Sequence, residues 1–295
     1  MKQIYKTILY SVLTLLIVSC AEDPMEKEQY KKEVYLVGAY DRVWKIDVNY
    51  SEQPVSDFFT VTTSGTLNLD QDVHVSMRIN EDIVATYNRK FLGELNEDKF
   101  FVPLDETLYS IPSLDNITLD HQKGISVDVP IQIITQNLSA DTRYVIPVQI
   151  ESSTPYDVNE SGRKMLIHLN LKNEYSGNYQ LDGHMTEPGL NPRRIQKAKV
   201  LTATGVNTVR LFHAMNNESS KKEDIAAKTI EITISDEWVT GSETLKKVSV
   251  RGWGGLAITD HGKGFYNTEK KEFRIAYTVN DTQIKYEENL TISAK

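Results

Sequence analysis

Val73-His74-Val75-Ser76-Met77-Arg78-Ile79 sets four apolar residues on one side of an extended chain and three polar ones on the other. Side chains of a strand point alternately to its two faces, so this stretch predicts a β-strand with one face in a core and one in solvent. The same period of two recurs at Val127, Val129, Ile131 and Ile133, at Tyr144, Ile146, Val148 and Ile150, and at Met165, Ile167, Leu169 and Leu171. It continues at Ile230, Ile232 and Ile234 and at Phe273, Ile275, Tyr277 and Val279. Turn residues such as Asn68, Asn80 and Gly124 separate the runs, and helix fits only brief pieces such as Lys221 to Lys228. The chain is predicted to be all-β.

A break falls at Leu171-Lys172-Asn173-Glu174-Tyr175-Ser176-Gly177, where one alternating run ends and Asn178-Tyr179-Gln180-Leu181 begins another. Upstream, residues 33–172 suit an N-terminal immunoglobulin-like β-sandwich of about seven or eight strands. Downstream, residues 173–295 hold long strands and tight turns, with Phe265 to Phe273 reading as one hairpin with a polar tip. Successive hairpins suit an up-and-down β-barrel, which removes exposed edges by closing on itself.

The beginning of the chain carries an address. Lys2 and Lys6 precede an apolar run from Ile8 to Val18, which is too short for a spanning helix and reads as a signal peptide over residues 1–19. Ile17-Val18-Ser19-Cys20 resembles the lipobox of bacterial lipoproteins, in which the cysteine is acylated and the chain is cleaved before it. Cys20, the only cysteine, is thus the expected lipidation site. Several acyl chains make a durable membrane anchor where one does not. Residues 20–32 read as a flexible acidic tether. Ala21-Glu22-Asp23 with Glu26 and Glu28 resembles the export signal of Bacteroidota surface lipoproteins, which implies an outer-membrane location facing outward.

Composition narrows the function further. The formal charge is −8, and loss of the leader removes two lysines and no acid. Without a Lys/Arg cluster, nucleic acid is excluded as a partner. With Cys20 acylated, no thiol remains for a disulfide, a nucleophile or a metal site. The six histidines fall in no paired ligand spacing, and no Asp-rich calcium loop is visible, so no metal and no cofactor is expected. His74 and His168 alternate with apolar strand residues and are expected on exposed faces. His261, beside Asp260 in a glycine-rich loop, reads as part of a plain turn.

Ser64-Gly65-Thr66, Val73 to Met77 and Tyr87-Asn88 resemble the first domain of two-domain Bacteroidota lipoproteins encoded in polysaccharide-utilisation loci. Leu138 to Val148 is similar to that domain's most recognisable strand, and Lys172 to Tyr179 to the junction with a lipocalin-like barrel. The first domain of this family also precedes chitinase-like glycosidases. The resemblance implies accessory binding of an oligosaccharide or polysaccharide beside a TonB-dependent porin and its glycan-capturing lipoprotein. The DxxDxDxE pattern of those glycosidases is missing here, so the chain is not expected to be an enzyme, and no catalytic residue is assigned.

Aromatic residues are the better lead to carbohydrate, because a sugar presents a C–H face to Trp or Tyr while its hydroxyls seek polar side chains. Trp253, in Arg251-Gly252-Trp253-Gly254-Gly255, reads as a ring presented by a loop. Trp238 follows Ser235-Asp236-Glu237 at a strand end, and Tyr40 and Trp44 flank Asp41 and Arg42 in a polar-aromatic patch. The four are the glycan-binding candidates. The alternative reading is a non-catalytic docking subunit of an outer-membrane porin complex that never touches sugar.

Overall fold

The structure, a computed structural model, describes residues 27–292. Cys20, the leader 1–19 and residues 21–26 of the acidic segment lie outside the described residues. Eleven strands form the first unit: β1 (Glu33–Leu36), β2 (Val43–Asn49), β3 (Val55–Thr63), β4 (Val73–Ile79), β5 (Phe101–Pro103) and β6 (Tyr109–Ser110), then β7 (Ile117–Leu119), β8 (Ser126–Ile133), β9 (Arg143–Thr154), β10 (Asp157–Val158) and β11 (Lys164–Lys172). One sheet has the order β10-β1-β3-β8-β6, and the other runs β2-β11-β9-β4-β7 with β5 beside β9. Seven strands are long enough to alternate. The other four, β5, β6, β7 and β10, span two or three residues, too few for periodicity to reveal.

The alternating residues meet between the two sheets. Val34, Leu36, Phe59, Val61, Ile131 and Ile133 from the first sheet share one buried cluster with Val75, Met77, Ile146, Val148, Ile150 and Ile167 from the second. Removing this apolar area from water, at roughly 25 cal/mol per Å², is the main force holding the sheets together. The outer face of β9 and β11 is covered as well. A helix over Asp82–Tyr87 runs into a π-helical turn over Asn88–Leu92, and Val84, Phe101, Val145 and Leu166 bury themselves in a smaller cluster there.

The residues next to β1 are tied down too. The Glu28 carboxylate accepts from the backbone N–H groups of Thr66 (2.5 Å) and Leu67 (3.3 Å), and Lys32 reaches Asp70 at 3.1 Å. The hydrogen bond from Thr66 leads the effects that bring the Glu28 pKa down to about 2. Residues 28–32, read from sequence as part of a flexible tether, are thus docked on the sandwich, because local charges found partners that composition does not reveal.

The second unit contains β12 (Gly177–Thr186), β13 (Arg193–Gly205), β14 (Thr208–Phe212), β15 (Thr229–Trp238) and β16 (Leu245–Gly252), followed by β17 (Ile258–Asp260), β18 (Phe265–Asn267), β19 (Glu272–Val279) and β20 (Ile284–Ile292). β17 and β18 are two pieces of one wall, both lying on the same side of β19. Antiparallel neighbours follow in order, and β20 returns to β12 with Leu181 opposite Leu290, closing an eight-stranded barrel. Side chains fill its interior, as a barrel of this size allows. Tyr266 lies 5.0 Å from Tyr175 and 4.6 Å from Phe273, and Tyr277 stacks on Tyr286 at 5.2 Å. Among the described residues, no helix is long and apolar enough to cross a membrane.

Between the units, Asn173 directs the turn. Its side-chain NH₂ donates to the carbonyls of Gly205 and Thr208, both at 2.8 Å, while its side-chain oxygen accepts from the Tyr175 N–H at 3.0 Å.

Candidate functional site

Between a turn before β2, the helix with its π-helical extension, and the start of β11 lies a cleft of about 460 Å³. Three local devices shape it. Gly38 (φ 83°) and Arg42 (φ 63°) bracket a 3-10 turn over Ala39–Asp41, and both adopt the left-handed region. Gly38 must be glycine, since a Cβ there would stand 2.3 Å from the Trp44 ring. Arg42 is pinned through its backbone, its N–H donating to the Ala39 carbonyl and its carbonyl accepting from Leu166, both at 2.8 Å. A non-glycine residue held at positive φ stores strain that surrounding structure must sustain, and such residues concentrate at functional sites.

The second device is the π-helical turn. Buried Asn88 hydrogen-bonds both backbone groups of Phe101, donating to its carbonyl at 2.8 Å and accepting from its N–H at 2.9 Å. The Gly93 N–H closes the wide turn on the Asn88 carbonyl at 3.1 Å. This winding, itself frequent at functional sites, turns Tyr87 and Phe91 toward each other, ring centroids 4.9 Å apart, with Phe91 44% exposed. The third device is Asn159, whose side-chain oxygen accepts from the N–H groups of Ser161 and Gly162, both at 3.0 Å. Gly162 lies so close to Tyr35 that a Cβ would stand 2.4 Å from it, which seats Glu160 and Ser161 at the rim.

Arg42 holds its guanidinium carbon 4.3 Å from the Phe91 ring centre, and the Lys90 ammonium lies 5.5 Å from the same ring. Both are within cation–π range. Tyr40, 61% exposed, forms another part of the wall. The floor includes Ile83 and Leu166 of the smaller apolar cluster. Behind it, His168 packs edge-on against Phe101 at 5.1 Å, and burial, helped by the Arg143 and Lys45 charges, pulls its pKa down to about 4. The exposed position expected for His168 is therefore corrected: the helix and β5 cover that face. His74 is exposed as read. The site is thus a shallow cleft with aromatic rings, hydroxyls on Thr86 and Ser161, and cations at its rim.

Of the residues singled out by sequence, Tyr40 lies in this cleft, whereas Trp44 sits beside Gly38, 40% exposed and outside the lining. Trp253 is half-buried at the junction of the two units, where the Arg210 guanidinium covers its ring at 5.0 Å. The glycines around it serve packing: a Cβ at Gly254 would stand 2.7 Å from Ala226 of the helix Lys222–Lys228, and one at Gly252 would stand 1.7 Å from the Leu256 carbonyl oxygen. Trp238 is 45% exposed at an irregular end of β15, with the Lys246 ammonium 5.7 Å from its ring. Asp260 receives the Val250 and Gly262 N–H groups, while His261 bonds the Thr278 hydroxyl at 2.8 Å.

Sequence reading missed Tyr87, Lys90, Phe91 and Lys164. The segment Tyr87-Asn88-Arg89-Lys90-Phe91 interleaves aromatic and basic residues, which was the available signal, but no strand or helix period marks it. Catalytic chemistry finds no cluster in the cleft, whose one carboxylate is Glu160. The two deeply buried carboxylates among the described residues are elsewhere: Glu231 pairs with Arg251, and Glu288 lies inside the barrel, where its Oε1 accepts from the Tyr277 hydroxyl at 3.0 Å. Asp72, Asp120 and His121 bring metal-capable atoms within 4.8 Å of one another. They partner themselves and Lys123, with His121 Nδ1 2.6 Å from Asp72 and Lys123 3.2 Å from Asp120.

A family model described as an N-terminal domain matches residues 30–157, and one described as a C-terminal domain matches residues 163–293. No curated protein matches the chain by sequence. Solved structures match its fold over most of its length. A Bacteroides ovatus protein of unknown function is 15% identical with a TM-score of 0.64, covering 89% of this chain and 94% of its own. A second from that organism is also 15% identical, with a TM-score of 0.61 and coverage of 88% and 89%. A Bacteroides thetaiotaomicron protein described as an auxiliary nutrient binding protein is 14% identical, with a TM-score of 0.58 and coverage of 86% and 91%.

Proposed function

Because the chain belongs to a family of two-domain Bacteroidota polysaccharide-utilisation proteins, we propose that it binds a glycan as an accessory to nutrient import, without cleaving it, in the Tyr40–Phe91 cleft. The observation that carries this reading is the pair of half-exposed rings beside hydroxyls and fixed cations. Aromatic faces and convergent polar groups are what a pyranose needs. The likeness to an auxiliary nutrient binding protein supports the role. Acylation at Cys20 would hold the protein at the outer membrane, facing outward, near a TonB-dependent porin and its glycan-capturing lipoprotein.

Calorimetry of residues 21–295 against a panel of plant, host and microbial oligosaccharides tests the proposal. Binding that is lost in Tyr40→Ala and Phe91→Ala, with melting temperature retained, supports it. No binding at millimolar concentration, together with copurification of the porin complex, would favour the docking role instead.

A further inference from the structure

Resting on that reading of the cleft, we infer that its ligand is an acidic saccharide, bearing a carboxylate or sulfate that lies between Arg42 and Lys90 while its ring packs on Phe91 and Tyr40. The cleft holds three cations, Arg42, Lys90 and Lys164, all exposed. None of them forms an ion pair with a carboxylate among the described side chains, and the cleft's own Glu160 is bound at 2.6 Å by Arg163. Several cations elsewhere are matched: Lys31, Arg78, Lys172, Arg194, Arg210, Lys228, Lys247 and Arg251 each have a carboxylate within 4.0 Å. The chain carries 41 acidic residues against 33 basic ones. A local excess of positive charge in such a chain attracts an anion from solvent.

Geometry makes the arrangement selective. Two cations lie within reach of a single ring, at 4.3 and 5.5 Å from its centre, so both serve the same part of the cleft wall. The guanidinium is held by its pinned backbone and by the ring, and its planar fork of N–H donors matches carboxylate or sulfate oxygens. A neutral sugar would leave those donors to water.

The test is a panel of oligogalacturonate, hyaluronan and chondroitin sulfate oligosaccharides, each titrated beside its carboxyl-reduced or desulfated counterpart. At least one acidic member should bind more than about tenfold tighter than its neutral counterpart, since a hydrogen bond to a charged group is worth about that factor. Arg42→Gln and, independently, Lys90→Gln should erase most of that difference with the melting temperature unchanged, and added salt should weaken the acidic ligand alone. Equal binding of charged and neutral members, still sensitive to Tyr40→Ala and Phe91→Ala, would overturn the acidic assignment and leave the cleft standing. Absence of binding, or binding indifferent to both aromatic substitutions, would overturn the cleft reading and this inference with it.

Discussion

Arg210 of the barrel grips Asp141 of the sandwich with two terminal nitrogens, one 2.7 Å and the other 2.5 Å from the carboxylate oxygens. The arginine is 7% exposed and the aspartate 27%, and the Trp253 ring lies over the guanidinium. The bidentate geometry is specific to the Arg–carboxylate pair. Removing one partner of a buried pair leaves the other uncompensated, at a cost of about 3–5 kcal/mol, and the partial exposure of Asp141 puts this case near the lower end. Arg210→Met should therefore lower the thermal midpoint and speed hydrogen exchange at residues 138–142 and 222–226, measured by mass spectrometry. Unchanged exchange there would mean that the pair does not hold the junction.

Trp253 and Tyr40 should respond in opposite ways. Trp253→Ala uncovers Arg210 and should cost about 1–2 kcal/mol of stability while leaving glycan affinity intact. Tyr40→Ala removes an exposed ring and should leave stability intact. Its affinity should fall about 5-fold to 150-fold, taking the range of about 1–3 kcal/mol measured for single stacking aromatics. Melting curves and titrations on both variants decide the matter; the reverse outcome would move the binding site to the domain junction.

His168 predicts an acid limb in the stability curve. Its pKa in the folded chain is drawn down to about 4 from an ordinary 6.5, chiefly by burial. The unfolded state therefore binds more protons between those values, and stability falls as pH drops through that window. His213, also drawn down to about 4 by burial, acts in the same direction. His168→Gln should flatten part of the limb, by on the order of 3 kcal/mol at most. Melting temperatures at pH 7, 6, 5 and 4 should show wild type and variant diverging only below pH 6.5. A constant offset at all four values would assign His168 a packing role alone.

Localisation rests on Cys20. Cys20→Ala should abolish N-terminal acylation, seen by mass spectrometry, and release the protein from the outer-membrane fraction. External protease should digest the wild type on intact cells. Digestion only after lysis would place the protein on the periplasmic side.

Strand existence and facing were legible because burial of one sheet face imposes a period of two. The run Phe273, Ile275, Tyr277, Val279 is buried without exception. The hairpin from Phe265 to Phe273 forms as read, with Tyr266 opposite Phe273. The helix at Lys222–Lys228 also lies where the sequence pointed. β6 and β10, two residues each, were not legible, since their pairing comes from neighbours and not from their own composition. The cleft was half legible. Tyr40 and Arg42 announce themselves beside each other, but Phe91 reaches them only through the π-helical turn that Asn88 anchors to Phe101.

The amino-acid pattern alone determined the all-β class and the sandwich-then-barrel order, because both rest on local periodicity. Tertiary structure decided that Trp253 covers an ion pair, that His168 is half-buried, and that Arg42, Lys90 and Phe91 share one cleft. These depend on which segments lie against each other across tens of residues. Packing and charge compensation between distant groups set that outcome, and no local pattern encodes it.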